Sequence, residues 1–289
     1  MNFGKTLSLV HSARRLVLRA QDGLPASFFI GEHYPVSLSI LGSSFGSVGP
    51  IQSSLPRTDL PSGAAPSAVV AASLRGSGLV DLVSANQNDN TISVFLGNGD
   101  GTFASRVDIP VGTGPDALVA SDFNGDGNTD LAVVNQVDST VSILLGNGDG
   151  TFTAGTSLAT GAGPISIVTA DFNADGHSDL AVANQTDDTV SVYLGNGDGT
   201  FSAPTLLTTG TGPHALATPD LNADGHPDLV SVNQNANTFT VFLGNGDGTF
   251  GAGTDFATGT TPSGIAVGDF NLDARQDLAI VNQGDNTVS

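Results

Sequence analysis

The sequence predicts an all-β chain of stacked four-stranded sheets, and three observations carry that reading. One pattern recurs five times at a fixed 49-residue step, so that the residue opening each loop is Asp122, Asp171, Asp220 and Asp269, with Ser73 one step earlier. Each copy divides into short apolar stretches separated by Asn-Gly, Asp-Gly and Gly-Pro turn signals. Stretches such as Leu131-Ala-Val-Val and Ile143-Leu-Leu are apolar at every position, as strands covered on both faces are. Four strands in a unit of ~40–50 residues, stacked radially on equal neighbours, make a β-propeller. β-Helices repeat at a much shorter period, and the leucine-rich and helical repeat patterns are absent.

The second copy sets the expected elements. Strand one covers Ala117 to Asp122, strand two Asp130 to Asn135, strand three Thr140 to Leu145, and strand four Phe152 to about Leu158. The connections are Asn135-Gln-Val-Asp, the hairpin Gly146-Asn-Gly-Asp-Gly150, and Thr160-Gly-Ala-Gly-Pro164. Asn-Gly and Asp-Gly favour hairpin turns with positive φ. In the hairpins at Asp100, Asp149, Asp198 and Asp247 there is one carboxylate each, which fits a turn better than a cation site; Phe103, Phe152, Phe201 and Phe250 then plug the space between blades.

Composition narrows the function. The chain has 289 residues and a formal net charge of −20; Asp supplies all the acids except Glu32, and after Arg75 the basic residues are Arg106 and Arg275. With so few cations to neutralise phosphate, nucleic acid and anionic membranes are excluded as partners, whereas divalent cations are attracted. No apolar run approaches the ~18–20 residues of a membrane span. Cysteine is absent, which removes disulfides, thiolate nucleophiles and Cys-zinc sites.

The acids are placed as well as numerous. Asp122, Asn124, Asp126, Asn128 and Asp130 stand at loop positions 1, 3, 5, 7 and 9, followed at one repeat step by Asp171, Asn173, Asp175, His177 and Asp179, then Asp220, Asn222, Asp224, His226 and Asp228, then Asp269, Asn271, Asp273, Arg275 and Asp277. Side-chain oxygens at 1, 3, 5 and 9 plus the carbonyl of position 7 suit Ca²⁺, which takes 6–8 oxygens at ~2.3–2.6 Å in a tolerant geometry. These loops hold three Asp each, 12 of the 28 acids, and crowding carboxylates without a cation costs Coulomb repulsion. The alternative, Asx-turns alone, predicts freely varying polar residues. An EF-hand would need Glu at position 12, where Val133 stands inside a strand. Position 2 (Phe123, Phe172, Leu221, Phe270) is expected to face the core, and glycine at position 6 to make the sharp turn. Ala274 at position 6 predicts a weaker fourth site, and Ser73, Arg75 and Ser77 predict a first copy without metal. At position 7 only the carbonyl coordinates, so His177 and His226 are read as exposed loop histidines.

The runs Asp122-Phe-Asn-Gly-Asp-Gly-Asn-Thr-Asp-Leu131 and Leu145-Gly-Asn-Gly-Asp-Gly-Thr-Phe152 resemble the FG-GAP/VCBS repeats, whose relatives include the blades of integrin α-subunits. The resemblance covers roughly Pro66 to Ser289. It implies a propeller, usually of seven blades, with Ca²⁺ between the first two strands and adhesion or ligand binding rather than catalysis. Residues 51–289 are accordingly expected to form propeller repeats. Residues 1–50 form a separate segment, within which Ala20 to Val36 resembles a strand-rich piece of bacterial secretins. Met1 to Ala20 lacks the apolar core of a secretory signal. Ser289 corresponds to Ser142 in mid-strand, so a truncated longer chain is expected. The other reading is a closed five-bladed ring, in which Ile51 to Pro61, with Asp59-Leu-Pro in step with Asp108-Ile-Pro, supplies the missing strand.

The function expected is a calcium-binding module that recognises a protein or carbohydrate in an exported protein, extracellular or at the cell surface. The rival classes are a purely structural spacer and a propeller enzyme with a channel site, for which Asp116 and His214 are the candidates by position alone.

Overall fold

The computed structural model describes residues 58–289 and, by backbone alone, three short strands nearer the N-terminus. Those three, β1 (Leu9–Ser12), β2 (Arg15–Arg19) and β3 (Pro25–Phe29), pair antiparallel in that order. Apart from β3, the secretin-like run lies outside the described residues, as does most of Ile51 to Pro61; Thr58 to Pro61 is not in a strand.

Four blades of four antiparallel strands follow. Blade one is β4 (Pro66–Ala72), β5 (Asp81–Asn86), β6 (Thr91–Phe95) and β7 (Val107–Pro110). Blade two is β8 (Pro115–Ser121), β9 (Asp130–Asn135), β10 (Thr140–Gly146) and β11 (Phe152–Ala159). Blade three is β12 (Pro164–Ala170), β13 (Asp179–Asn184), β14 (Thr189–Tyr193) and β15 (Thr205–Thr208). Blade four is β16 (Pro213–Ala217), β17 (Leu229–Asn233), β18 (Thr238–Phe242) and β19 (Thr254–Ala257). A fifth blade has three strands, β20 (Pro262–Gly268), β21 (Asp277–Asn282) and β22 (Thr287–Val288). First strands lie beside first strands from β4 through β8, β12 and β16 to β20, the succession of a propeller. No helix occurs among the described residues.

Strand one begins two residues before the expected Ala117 and stops before Asp122. Its proline has no N–H to give a ladder, so it sits at the strand's first position, and a register shift follows it in all five blades. Strand two shows why these sequences are apolar on both faces. Along β9, Leu131 and Val133 pack into the core shared with blade one, while Ala132 and Val134 pack into the core shared with blade three. The period-two alternation of a strand thus feeds two interfaces at once. Each hydrophobic cluster joins two neighbouring blades, and none is confined to one sheet.

Strand two ends on a buried asparagine in every blade. Asn135 Nδ2 donates to Thr140 Oγ1 at 3.0 Å and to Ser142 Oγ at 2.9 Å, and Asn86, Asn184, Asn233 and Asn282 repeat the pair. Glycine is required opposite it: a Cβ on Gly112 would lie 2.5 Å from Asn135 Cγ.

Candidate metal loops and the joints between blades

The loop between strands one and two is folded by its own acids. Asp122 accepts the amides of Gly125 at 2.7 Å and Gly127 at 2.8 Å, Asn124 Oδ1 accepts that of Asp126, and Asp126 Oδ1 that of Asn128. The loops opened by Asp171, Asp220 and Asp269 differ in one bond: their first residue accepts the position-5 amide, of Asp175, Asp224 and Asp273, in place of the position-4 amide, and the other bonds repeat. Position 9 works differently. Asp130 is buried and bridges two turns, accepting Phe123 N at 2.8 Å and Gly146 N at 2.7 Å. Asp179 and Asp228 do the same with Phe172 and Gly195, and with Leu221 and Gly244.

Two loop positions are left-handed. Position 6 has φ of 83°, 86° and 86° at Gly127, Gly176 and Gly225, and 67° at Ala274. Position 4 has positive φ too: 72° at Gly125, but 57°, 58° and 63° at Ala174, Ala223 and Leu272. Sequence reasoning missed this second one, because only Gly125 signals it.

The electrostatics separate buried from exposed acids. Burial pushes Asp130 and Asp179 above the ordinary carboxylate range against their two amide bonds, and the charges at positions 5 and 1 add to the rise. Exposed Asp126, Asp175 and Asp224 are held low, first by the backbone amides of Asn128, His177 and His226.

As a donor set for a cation, the loops offer hard oxygens only, which fits Ca²⁺. A carboxylate oxygen that accepts one N–H keeps a lone pair for a metal. The side chains are nonetheless turned toward the amides: among the described residues no group of three or more His, Asp or Glu is drawn together as ligands are around an ion. His177 is exposed, whereas His226, expected to be exposed, is half-buried; both lie over the glycine of their own blade's hairpin, where a Cβ on Gly197 or Gly246 would come within 2.3 Å of the ring. The hairpin acids are spent locally, since Asp149 accepts both the N–H and the hydroxyl of Thr151, as Asp100, Asp198 and Asp247 do from their threonines.

The loops are also joints. The hairpin of blade three donates Gly199 N to Phe123 O at 3.0 Å and sets Phe201 edge-on against Phe123; blade four repeats both with Gly248, Phe172 and Phe250. Position 8 reaches back one blade, Thr129 Oγ1 to Ser73 O at 3.0 Å, Ser178 Oγ to Ser121 Oγ at 2.7 Å, and Gln276 Oε1 to Asp220 N at 2.9 Å. The expectation that position 2 faces the core holds for Phe123 and Phe172, which are 2% and 1% exposed, and is corrected for Phe270, which is 52% exposed. Nothing among the described residues packs on Phe270 as Phe201 packs on Phe123. Leu221 is half-buried and borders a cavity of about 510 Å³ with Phe239, Val241, Leu243, Phe256 and Leu278.

The first blade's loop lacks the acids of positions 1 and 5 and keeps that of position 9, Asp81. Arg75 Nη2 instead lies 2.6 Å from Asp81 Oδ1.

Two motifs at one spacing, on blades that repeat their contacts in step, can be set beside known proteins. The FG-GAP-like repeat profile matches residues 74–133, 122–182, 171–231 and 220–280. The chain belongs to the FG-GAP-like repeat family. No curated protein matches this FG-GAP-like chain. Among solved structures it is similar to the periplasmic gluconolactonase PpgL of Pseudomonas aeruginosa, with TM-score 0.57, 17% identity and coverage of 95% of this chain and 72% of that one. It is similar to a putative 6-phosphogluconolactonase of Bacteroides uniformis, with TM-score 0.53, 14% identity and coverage of 88% and 71%. It also resembles BBS1N, solved in complex with ARL6DN, with TM-score 0.55, 12% identity and coverage of 96% and 88%. These likenesses show the propeller fold. No helix among the described residues is long and apolar enough to cross a membrane.

Proposed function

We propose that this FG-GAP-like chain is a non-catalytic, calcium-binding β-propeller module that recognises a protein or carbohydrate outside the cell. One observation carries the calcium reading. The position-9 carboxylate is present in all five blades, with acids at positions 1 and 5 in four of them, and in the fifth case a side-chain cation stands beside it at Arg75. The residues that would hold the ion are Asp122, Asn124, Asp126, the carbonyl of Asn128 and Asp130, and their equivalents one repeat apart. Bound Ca²⁺ would offset the repulsion of three carboxylates and lock each loop between its own hairpin and the next blade's. A rim made rigid in this way presents fixed loops to a ligand, and the repeated acids serve the loops rather than a reaction. Calcium modules outside cells bind at ~10⁻⁴–10⁻³ M, a range matched to extracellular and not to cytosolic Ca²⁺; this is the ground for placing the module outside.

Calorimetric titration of the whole chain with CaCl₂ tests the reading. Asp171→Ala is expected to remove one equivalent of Ca²⁺ and Asp198→Ala none. EDTA is expected to lower the melting temperature, and millimolar Ca²⁺ to restore it better than Mg²⁺, which demands tighter octahedral geometry. A melting curve indifferent to EDTA would reduce these loops to turns. Binding on a glycan array or to an extracellular protein would support recognition; turnover of ester, phosphoester or glycoside substrates would overturn the non-catalytic assignment.

A further inference from the structure

The loop of blade one keeps the buried clasp of the other loops and changes what neutralises it. Asp81 accepts Leu74 N at 3.0 Å and Gly97 N at 2.8 Å. These are the bonds Asp130 takes from Phe123 and Gly146, Asp179 from Phe172 and Gly195, and Asp228 from Leu221 and Gly244, so the carboxylate ties the loop to the third–fourth strand hairpin in blades one to four. In blade one the acids of positions 1 and 5 are Ser73 and Ser77, and position 3 is Arg75. Its Nη2 donates to Asp81 Oδ1 at 2.6 Å and to the Gly97 carbonyl at 2.6 Å, with Nε 3.4 Å from Asp81 Oδ2. The guanidinium therefore bonds the carboxylate and the hairpin backbone together. Its stem lies in the joint to the next blade, since a Cβ on Gly150 of blade two would lie 3.5 Å from Arg75 Cγ. The Arg106–Asp108 pair lies elsewhere, at strand four, and among the described residues no arginine or lysine is paired with Asp130, Asp179 or Asp228.

We infer that Arg75 is a built-in cation which does permanently in blade one what a divalent ion does in the acidic loops, making blade one the metal-independent blade of the propeller. The comparison with a divalent ion rests on the calcium reading proposed above; the role of Arg75 in clasping loop to hairpin does not. An immobile guanidinium is neither diluted nor chelated, and its fork matches a carboxylate and a carbonyl together. Stripping metal would then loosen the acidic loops, that of blade two among them, while leaving the clasp within blade one closed.

Amide hydrogen exchange on the whole chain, in Ca²⁺ and in EDTA, tests the assignment, with Arg75→Gln and the triple variant Ser73→Asp/Arg75→Asn/Ser77→Asp beside the unaltered protein. In the unaltered protein EDTA is expected to leave Leu74 and Gly97 protected while Phe123, Gly146, Phe172 and Gly195 exchange at least tenfold faster. Arg75→Gln is expected to speed Leu74 and Gly97 at least tenfold in both conditions, and the triple variant to make the same two amides sensitive to EDTA. Equal loosening of blade one and the acidic loops by EDTA in the unaltered protein would overturn the inference. So would unchanged exchange at Leu74 and Gly97 in Arg75→Gln, or EDTA-insensitive protection there in the triple variant, which still applies if Arg75→Gln does not fold. If EDTA moves none of the acidic loops while Arg75→Gln still opens blade one, the calcium reading fails and the clasp by Arg75 stands.

Discussion

Phe201 of blade three meets Phe123 of blade two edge-on, with ring centroids 5.7 Å apart and planes at 63°. Phe123 is the second residue of an acidic loop, so that loop is braced by a hairpin 78 residues further along the chain. Phe201→Ala is expected to cost about 2–3 kcal/mol, below the range for a fully buried ring because Phe201 is half-buried. The more telling effect is on binding. If the loops bind Ca²⁺ as proposed, it should weaken binding at the loop opened by Asp122 and spare the loop of its own blade opened by Asp171, as calorimetry on Asp122→Ala and Asp171→Ala backgrounds would show. Loss at the Asp171 loop instead would contradict the bracing.

The loop opened by Asp269 carries two strained residues, Leu272 at φ 63° and Ala274 at φ 67°. A side chain in the left-handed region costs roughly 1–2 kcal/mol per residue. Ala274→Gly and Leu272→Gly are therefore each expected to stabilise by about 1 kcal/mol in chemical denaturation. Gly127→Ala is the converse: its φ is 83° and a Cβ there meets no atom within 4 Å, so any loss is backbone strain alone. A neutral Gly127→Ala would show that the loop relaxes out of this conformation.

What was legible in the sequence follows physical range. Strand two is read to the residue at Asp130–Asn135, because burial on both faces writes an unbroken apolar run. Strand one is misplaced at both ends, since the bulge after Pro115 and the turn at Asp122 depend on pairing with β9. The fate of position 2 was legible for Phe172 and not for Phe270, because burial there is conferred by another blade's hairpin. Ala174 and Ala223 give no hint of positive φ; the amides pulled onto Asp171 and Asp220 impose it. Asp130 was read as a ligand by its spacing, and its second task, bridging Phe123 N and Gly146 N, needed the hairpin's position in space.

The conserved geometry of the strand-two asparagines leaves some of them short of a partner. Asn135, Asn184 and Asn282 have a buried Oδ1 with no hydrogen bond, whereas Asn233 Oδ1 accepts Ser231 Oγ at 3.0 Å and Asn86 Oδ1 lies 3.4 Å from Ser84 Oγ. The residues two earlier are Val133, Val182 and Ile280. Val133→Thr keeps the shape and supplies the missing donor. Burying an unpaired hydroxyl costs about 1–3 kcal/mol, so Val134→Thr on the opposite face should lose that much while Val133→Thr is near neutral. Equal losses in the two variants would show that the Asn135 carbonyl is already satisfied.

Asp81 gives the stability of blade one a pH dependence of known sign. Burial by itself would raise its pKa, but the hydrogen bond from Arg75, the amides of Gly97 and Leu74 and the Arg75 charge together hold it below the ordinary carboxylate value. A group whose folded pKa is depressed binds protons more readily in the unfolded chain, so its contribution is present in full above the unfolded pKa and is lost as pH falls through the folded one. Asp81→Asn keeps the shape but cannot pair with the guanidinium. The stability difference between Asp81→Asn and the unaltered protein is therefore expected to be constant from neutral pH down to about pH 5 and to shrink as the pH drops below the carboxylate range near 4. The measurement is urea denaturation at fixed ionic strength in EDTA, so that any metal bound under the calcium reading is no competing source of pH dependence. A difference that instead grows on acidification would mean that the ionised form of Asp81 is disfavoured in the fold, and that Arg75 does not neutralise it.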